Sequence, residues 1–221
     1  MTNLESFIIP IFGFQTICRE NEIENDNQSS NIFDRVYQKI EETIGGNGFF
    51  VGDFLVTAAH VITDTRSPFI IWREKRINLK KEDAILWMTT PCDKEGMVSG
   101  HDQADNADIA IFKIEDTNSP LYLADTLPDY GDQMVNYHHR KNSFIQSQAV
   151  VGDKDYFLGN FFGCTMTPAH PTTGGSSGSP LLKGNAVYGI LHAGNKENPS
   201  ICIFSSAEYA LRMLRVKLKE H

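Results

Sequence analysis

The chain has 221 residues, 41% of them hydrophobic and 22% charged, with a formal net charge of −8. That balance describes a globular chain long enough for one larger domain or two small lobes. The negative charge and the lack of a basic stripe argue against a nucleic-acid partner.

The opening stretch "MTNLESFIIPIFGF" lacks a basic leader, and Pro10 and Gly13 break its apolar run. Neither a secretory signal nor a membrane span is expected. "SFIIPIFGFQ" reads as a strand. Acidic residues then crowd Arg19 to Asn27. In "NIFDRVYQKIEETIG", Ile32, Phe33, Val36, Tyr37, Ile40 and Ile44 fall at helical spacing, and Gly45-Gly46 stops the pattern. The spacing predicts an α-helix over 31–45.

"NGFFVGDFLVTAAHVI" reads as two strands joined at Gly52-Asp53, with His60 closing the second. Short apolar runs follow at regular spacing: "FIIW", "AILWM", "DIAIFKI", "QMVNYH", "IQSQAVV", "FFGCTM" and "AVYGILHAG". Many short strands separated by Gly, Asn and Asp predict an all-β sandwich or barrel. The tail "SSAEYALRMLRVKLKEH" predicts a helix capped by Ser205, three residues before Glu208, with basic last turns. The four cysteines (Cys18, Cys92, Cys164, Cys202) show no C-x-x-C spacing, so they are read as buried thiols in a reducing cytoplasm, with no metal site. His138 and His139 in "YHHRKN" and His101 in "GHDQADN" are read as loop residues; His170 is a lesser candidate.

Three segments bear chemistry. His60 sits in "LVTAAHVI", Asp108 directly precedes an apolar strand in "DNADIAIFKI", and Ser177 lies in "TTGGSSGSP". A serine hydroxyl is a weak nucleophile until an imidazole takes its proton. The imidazole needs a carboxylate to fix its tautomer and stabilise its charged form. Gly175, two residues before Ser177, leaves room for backbone N–H groups to face a developing oxyanion. Ser176 and Ser179 are the rival serines. Only Ser177 takes the third place of G-x-S-G-x-P, and the order His, Asp, Ser disfavours an α/β-hydrolase elbow.

"TAAHV", "DIAIF" and "GSSGSP" resemble the signature segments of the chymotrypsin-like (trypsin-fold) serine proteases, in that family's order. The resemblance implies two six-stranded β-barrels with the active site between them and a C-terminal α-helix. It places an N-terminal lobe at 1–120, carrying His60 and Asp108 and an inserted acidic and helical segment at 20–46. A C-terminal lobe at 121–221 carries Ser177. By the same resemblance His60 is the general base, Asp108 its orienting carboxylate and Ser177 the nucleophile. The N–H groups of Gly175 and Ser177 form the oxyanion hole.

Departures narrow the reading. Ser176 stands where zymogen-activated relatives carry Asp, and Val61 where secreted relatives carry Cys. Pro171 stands where trypsin-like specificity for Lys or Arg needs an acid. "TTGGSSGSP" is closest to bacterial glutamyl endopeptidases and chymotrypsin-like viral main proteases. These hold Glu or Gln with a Thr and a His, which makes Thr172 and His192 the matching pocket residues. His192 is one place out of that pattern, and a shift of one turns a strand residue to the other face. It therefore either lines the pocket, if a bulge restores it, or approaches Asp108. Ala193 and Gly194 are expected to pair with substrate backbone.

The expected protein is a cytoplasmic serine endopeptidase without a cofactor, acting on protein or peptide substrates after Glu or Gln. Small or apolar residues are the runner-up preference. No nucleic acid or membrane is expected as partner, and a regulatory partner is expected at 20–46. The alternative is a catalytically silent or latent binding module on the same fold. An HtrA-type protease is disfavoured, because 221 residues leave no room for a peptide-binding appendage after the catalytic lobe.

Overall fold

The computed structural model of the chain describes residues 4–18, 38–89, 106–140, 143–152, 157–167, 175–195, 198 and 200–220. The chain begins with a long antiparallel pair, β1 (Ile8–Cys18) and β2 (Gln38–Val51), in register from Ile8 opposite Phe49 to Cys18 opposite Gln38. The helix predicted over 31–45 is corrected here: 38–45 is strand, and 31–37 lies outside the described residues. β1 supplies an 11-residue template, and ladder pairing along it outweighs the local helical spacing. Gly45-Gly46, read as a helix stop, instead marks a register shift. Ile11 faces Gly46 and Phe12 faces Ile44, so Gly45 is the extra residue of a bulge.

After the turn at Gly52, β3 (Phe54–Thr57) pairs back on β2, and a six-residue helix α1 (Ala59–Asp64) follows. The strands β4 (Phe69–Trp72), β5 (Lys75–Asn78), β6 (Ala84–Met88) and β7 (Ile109–Lys113) complete a seven-stranded curled sheet in the order β5-β4-β1-β2-β3-β7-β6.

The second sheet contains β8 (Tyr122–Leu123), β9 (Gln133–Arg140), β10 (Ser143–Val151), β11 (Phe157–Leu158) and β12 (Phe161–Thr167). It ends with β13 (Pro180–Lys183), β14 (Ala186–Gly194) and β15 (Ile201–Ser206). β10, β9, β13, β14, β15 and β12 follow one another, and β12 pairs with β10, closing a six-stranded barrel. Met134, Phe162, Leu181, Leu191 and Phe204 fill its interior. The strand runs read from the sequence are strands here, except that the run ending in "TAAHVI" leaves the sheet after Thr57 and turns helical, and the architecture is the expected all-β one with a C-terminal helix. "YHHRKN" departs from its reading as a loop. His138 and His139 lie on β9, His138 fully buried and His139 bonded through Nε2 to the Ile8 carbonyl at 2.6 Å.

α2 (Ala207–Lys219) buries Ala207, Tyr209, Ala210 and Leu214 and packs on both β6 and β14, so it braces the two sheets. Its cap is Ser206, whose side chain accepts from the Tyr209 N–H at 3.2 Å, one residue later than predicted. Both serines lie in β15, Ser205 opposite Phe161 and Ser206 opposite Gly189, and Ser206 is the strand's last residue, directly before α2. No helix among the described residues is long and apolar enough to cross a membrane.

Candidate active site

β3 loses its ladder partners after Thr57, and the chain coils through the fully buried Ala58 and Ala59 into α1. His60 thus lies in the first turn of a helix rather than at the end of a strand. First-turn N–H groups have no partner within a helix. That of His60 donates to Oδ1 of Asp108 at 2.9 Å. Its ring Nδ1 meets Oδ2 of the same carboxylate in a short hydrogen bond. Asp108, directly before β7, is 2% exposed, while the His60 side chain keeps 31% of its surface open.

His192 completes the carboxylate's surroundings. Its Nδ1 lies 2.6 Å from Oδ2 of Asp108. Leu191 points into the second barrel, so alternation along β14 turns Ile190 and His192 the other way, toward the first sheet. The register with β15 does slip between Leu191 and Ala193, the bulge that the sequence reading tied to a pocket role. Here the bulge leaves His192 against Asp108. Of the two placements expected for His192, in the pocket or beside Asp108, the structure shows the second: its ring is engaged with the carboxylate and 7% exposed. Ser205 brackets the Asp108 backbone. Its Oγ is 3.4 Å from the Asp108 N–H and donates to the Asp108 carbonyl at 3.4 Å.

Ser177 sits in a tight turn between Gly175 (φ 109°) and Gly178 (φ 81°), backbone that side chains seldom adopt. A Cβ on Gly178 would also stand 2.1 Å from the Asn47 carbonyl oxygen. The Ser177 hydroxyl donates a long hydrogen bond, 3.5 Å, to the His192 carbonyl. His192 thus touches Asp108 through its ring and Ser177 through its backbone, which brings the three sequence-selected segments to one place.

Burial works against charge on Asp108, yet hydrogen bonds from His192 and His60 hold its carboxyl well below the usual carboxylate range. For His60, burial again opposes the charged form. The Asp108 hydrogen bond and negative charge outweigh it and raise the imidazole above its ordinary value. An imidazole held by a buried carboxylate in this way is suited to carrying a proton to and from a neighbouring group. His60, Asp108 and His192 also offer ligand atoms within 4.8 Å of one another. The 2.6 Å contact between His192 and Asp108 is a hydrogen-bond length, shorter than the roughly 3.3 Å between donors around a tetrahedral metal with bonds of about 2.0 Å.

Ala193 and Gly194 form the partly exposed end of β14. The register with β13 ends at Ile190, and the Leu191 backbone still bonds to Gly178 and Ser179, so it is at Ala193 and Gly194 that the strand pairs with β15 alone among the described residues. Thr172, His170, Pro171 and His101 lie outside the described residues. One residue was missed from sequence altogether: Asn47, fully buried between Gly46 and Gly48, touches the Ser177 turn. The only signal for it was a polar side chain flanked by glycines directly before the apolar run Phe49–Val51.

A seven-stranded curled sheet, a closed six-stranded barrel and a bracing terminal helix match the chymotrypsin-like fold. No protein-family model and no curated protein matches the sequence. Among solved structures, the HtrA-type protease AlgW with decapeptide is similar at a TM-score of 0.60 and 14% identity, over 97% of this chain and 65% of that one. The chain therefore spans just under two thirds of that protein's length. The Rv3671c protease from M. tuberculosis in its active form is similar at 0.56 and 16%, over 96% of this chain and 81% of that one. A scabies mite inactivated protease paralogue matches at 0.57 and 12%, over 99% and 96%. At such identities the likeness establishes the fold alone. The fold does not decide activity, since an inactivated paralogue shares it.

Proposed function

We propose that this protein is a serine endopeptidase working through an acyl-enzyme, with Ser177 as nucleophile, His60 as general base and Asp108 as its orienting carboxylate. The observation that carries the reading is the two-point grip of Asp108 on His60, one oxygen on the backbone N–H and the other on ring Nδ1. A carboxylate on Nδ1 fixes that nitrogen as the proton carrier and leaves Nε2 to accept a hydroxyl proton. A scaffold needs no such buried acid, because burying it costs free energy unless it is paired.

In this reading Ser177 attacks the scissile carbonyl while His60 takes its proton. The N–H groups of Gly175 and Ser177 receive the oxyanion, and His60 then protonates the leaving amine. Substrate backbone adds as a strand along Ala193 and Gly194, the end of β14 that β13 does not reach. The expectation of Glu or Gln before the scissile bond rested on Thr172 and His192 together. With His192 turned to Asp108, a small or apolar residue is the preference proposed. We place the enzyme in the cytoplasm. We assign its restraint to a partner binding within residues 20–46, and a deletion in its acidic part that leaves activity and its regulation unchanged would overturn this.

The test is cleavage of a diverse peptide mixture, read by mass spectrometry, with Ser177→Ala as control. Cuts lost by about six orders of magnitude in the variant would establish the enzyme and its preference together. A folded wild-type chain that makes no cut, under conditions spanning neutral pH, would return the reading to a binding module.

A further inference from the structure

Asn47 is fully buried, and five hydrogen bonds meet on it. Its side-chain Nδ2 donates to the Gly175 carbonyl at 2.7 Å and to the His139 carbonyl at 3.1 Å. Its Oδ1 accepts from the His139 N–H at 2.6 Å. Its own N–H donates to the Ser177 carbonyl at 2.7 Å, and its carbonyl accepts from Thr57 Oγ1 at 2.6 Å. Two acceptors face one end of the amide and one donor faces the other, so only one amide orientation satisfies them.

We infer that Asn47 is a positioning residue, a latch that holds the Ser177 turn in its working geometry and ties that geometry to the junction of the two sheets. The turn is soft by itself, because Gly175 and Gly178 both lie at positive φ. Peptide units are planar, so holding a carbonyl oxygen orients the N–H at the far end of the same unit. Asn47 holds the unit joining 175 to 176 through its side chain and the unit joining 177 to 178 through its backbone. Between them lies the unit that carries the Ser177 N–H. The chain therefore needs no charged group at position 176 to keep that N–H aimed. The same side chain grips both the N–H and the carbonyl of His139 on β9, so a shift of the second sheet against β2 is transmitted to the turn.

No close substitute meets these demands. Asp keeps the acceptor but sets an anionic oxygen against two carbonyls. Ser is too short to reach, and Gln adds a methylene where nothing is exposed. The neighbouring glycines fit the same purpose. A Cβ on Gly46 would stand 3.0 Å from the Ser177 carbonyl, the acceptor of the Asn47 N–H.

The inference rests on Ser177 as the nucleophile, and the experiment separates the two ideas. Amide hydrogen exchange, resolved by residue, is compared between wild type, Asn47→Asp and Asn47→Ser, alongside the rate at which a fluorophosphonate labels Ser177. The expected result is exchange faster by at least about tenfold at the Gly178 and Ser179 amides, with Ala110 to Phe112 in β7 unchanged. Labelling should slow by about 10- to 100-fold while the affinity for a cleaved product peptide stays the same. Folded variants with wild-type exchange in the turn, or with wild-type labelling, overturn the latch. A wild-type chain that is never labelled defeats the nucleophile reading, and the exchange data still decide the latch. If both variants unfold, the wild-type His139 amide decides. Protection equal to the rest of β9 supports the contact with Asn47 Oδ1, and exchange at the rate of exposed chain overturns it.

Discussion

Oδ2 of Asp108, the oxygen that engages the ring of His60, also receives a 2.6 Å hydrogen bond from Nδ1 of His192. The two rings stand edge to face with centroids 5.6 Å apart. One carboxylate oxygen thus serves two imidazoles, and the balance between them sets how strongly Asp108 draws the proton of His60.

Replacing His192 by Ser removes one donor from Asp108 and leaves the carboxylate more basic. His60 must be neutral to act as base, so activity falls as pH drops through its pKa. That pKa is already raised above the ordinary imidazole value by Asp108. With one donor fewer, Asp108 holds the His60 proton more tightly, and the acid limb of kcat/KM should move to higher pH. A hydrogen bond to a charged group contributes about 1.5–3 kcal/mol, so a shift of roughly one pH unit is the expected scale. A pH–rate profile of H192S checks it. An unmoved limb would mean that His192 only fills space.

Asp108→Asn keeps the shape and removes the charge. The amide then presents an N–H where His60 needs an acceptor, and the imidazole is held in the wrong tautomer. Turnover should fall by about four orders of magnitude, with KM changed little. The wild-type stability profile follows from the same group. The folded-state pKa of Asp108 is depressed, so its stabilising contribution is present above the unfolded carboxylate pKa and is lost as pH falls toward the folded value. Denaturant midpoints measured from neutral to strongly acid pH should decline more gently in D108N than in wild type.

Gly178 and Gly184 both sit at positive φ, at 81° and 64°, but a Cβ on Gly184 meets nothing within 4 Å. Gly184→Ala should cost about 1 kcal/mol from backbone strain alone. Gly178→Ala adds contacts of 2.1 Å with the Asn47 carbonyl and 2.3 Å with Thr57 Oγ1. It should cost more than about 3 kcal/mol and abolish labelling of Ser177. Urea midpoints of the two variants separate strain from collision.

Cys164 and Cys202 face each other across β12 and β15 as free, fully buried thiols. Burial pushes the Cys202 thiol up to about 12 and Cys164 further still. Neither is a thiolate near neutral pH, so a disulfide-exchange reagent should react with them only as fast as the barrel opens. Their modification rate should follow denaturant in parallel with loss of the near-ultraviolet signal. Rapid modification mapped to Cys164 or Cys202 in the native protein would contradict their burial.

His60, Asp108 and Ser177 could be picked out as candidates in the sequence because each lies in a short context with a local meaning: a histidine after an apolar run, an acid before a buried run, and a serine among glycines. The strands were legible for the same reason, since period-two alternation and turn residues act within a few positions. The segment 38–45 was not, because its apolar spacing fits a helix and only pairing with distant β1 made it a strand. Ser205 and Ser206 are neighbours with the same hydroxyl. Neighbours on β15 face opposite ways, so one side chain caps α2 and the other meets Asp108. His192 had two possible faces, and the packing of Leu191 into the barrel chose one. Asn47 has no meaning until β2, β9 and the Ser177 turn converge on it. The chemistry of single residues is a local property and can be read in order along the chain. Which partners share a hydrogen bond across 84 or 128 positions depends on sheet closure, which no local pattern encodes.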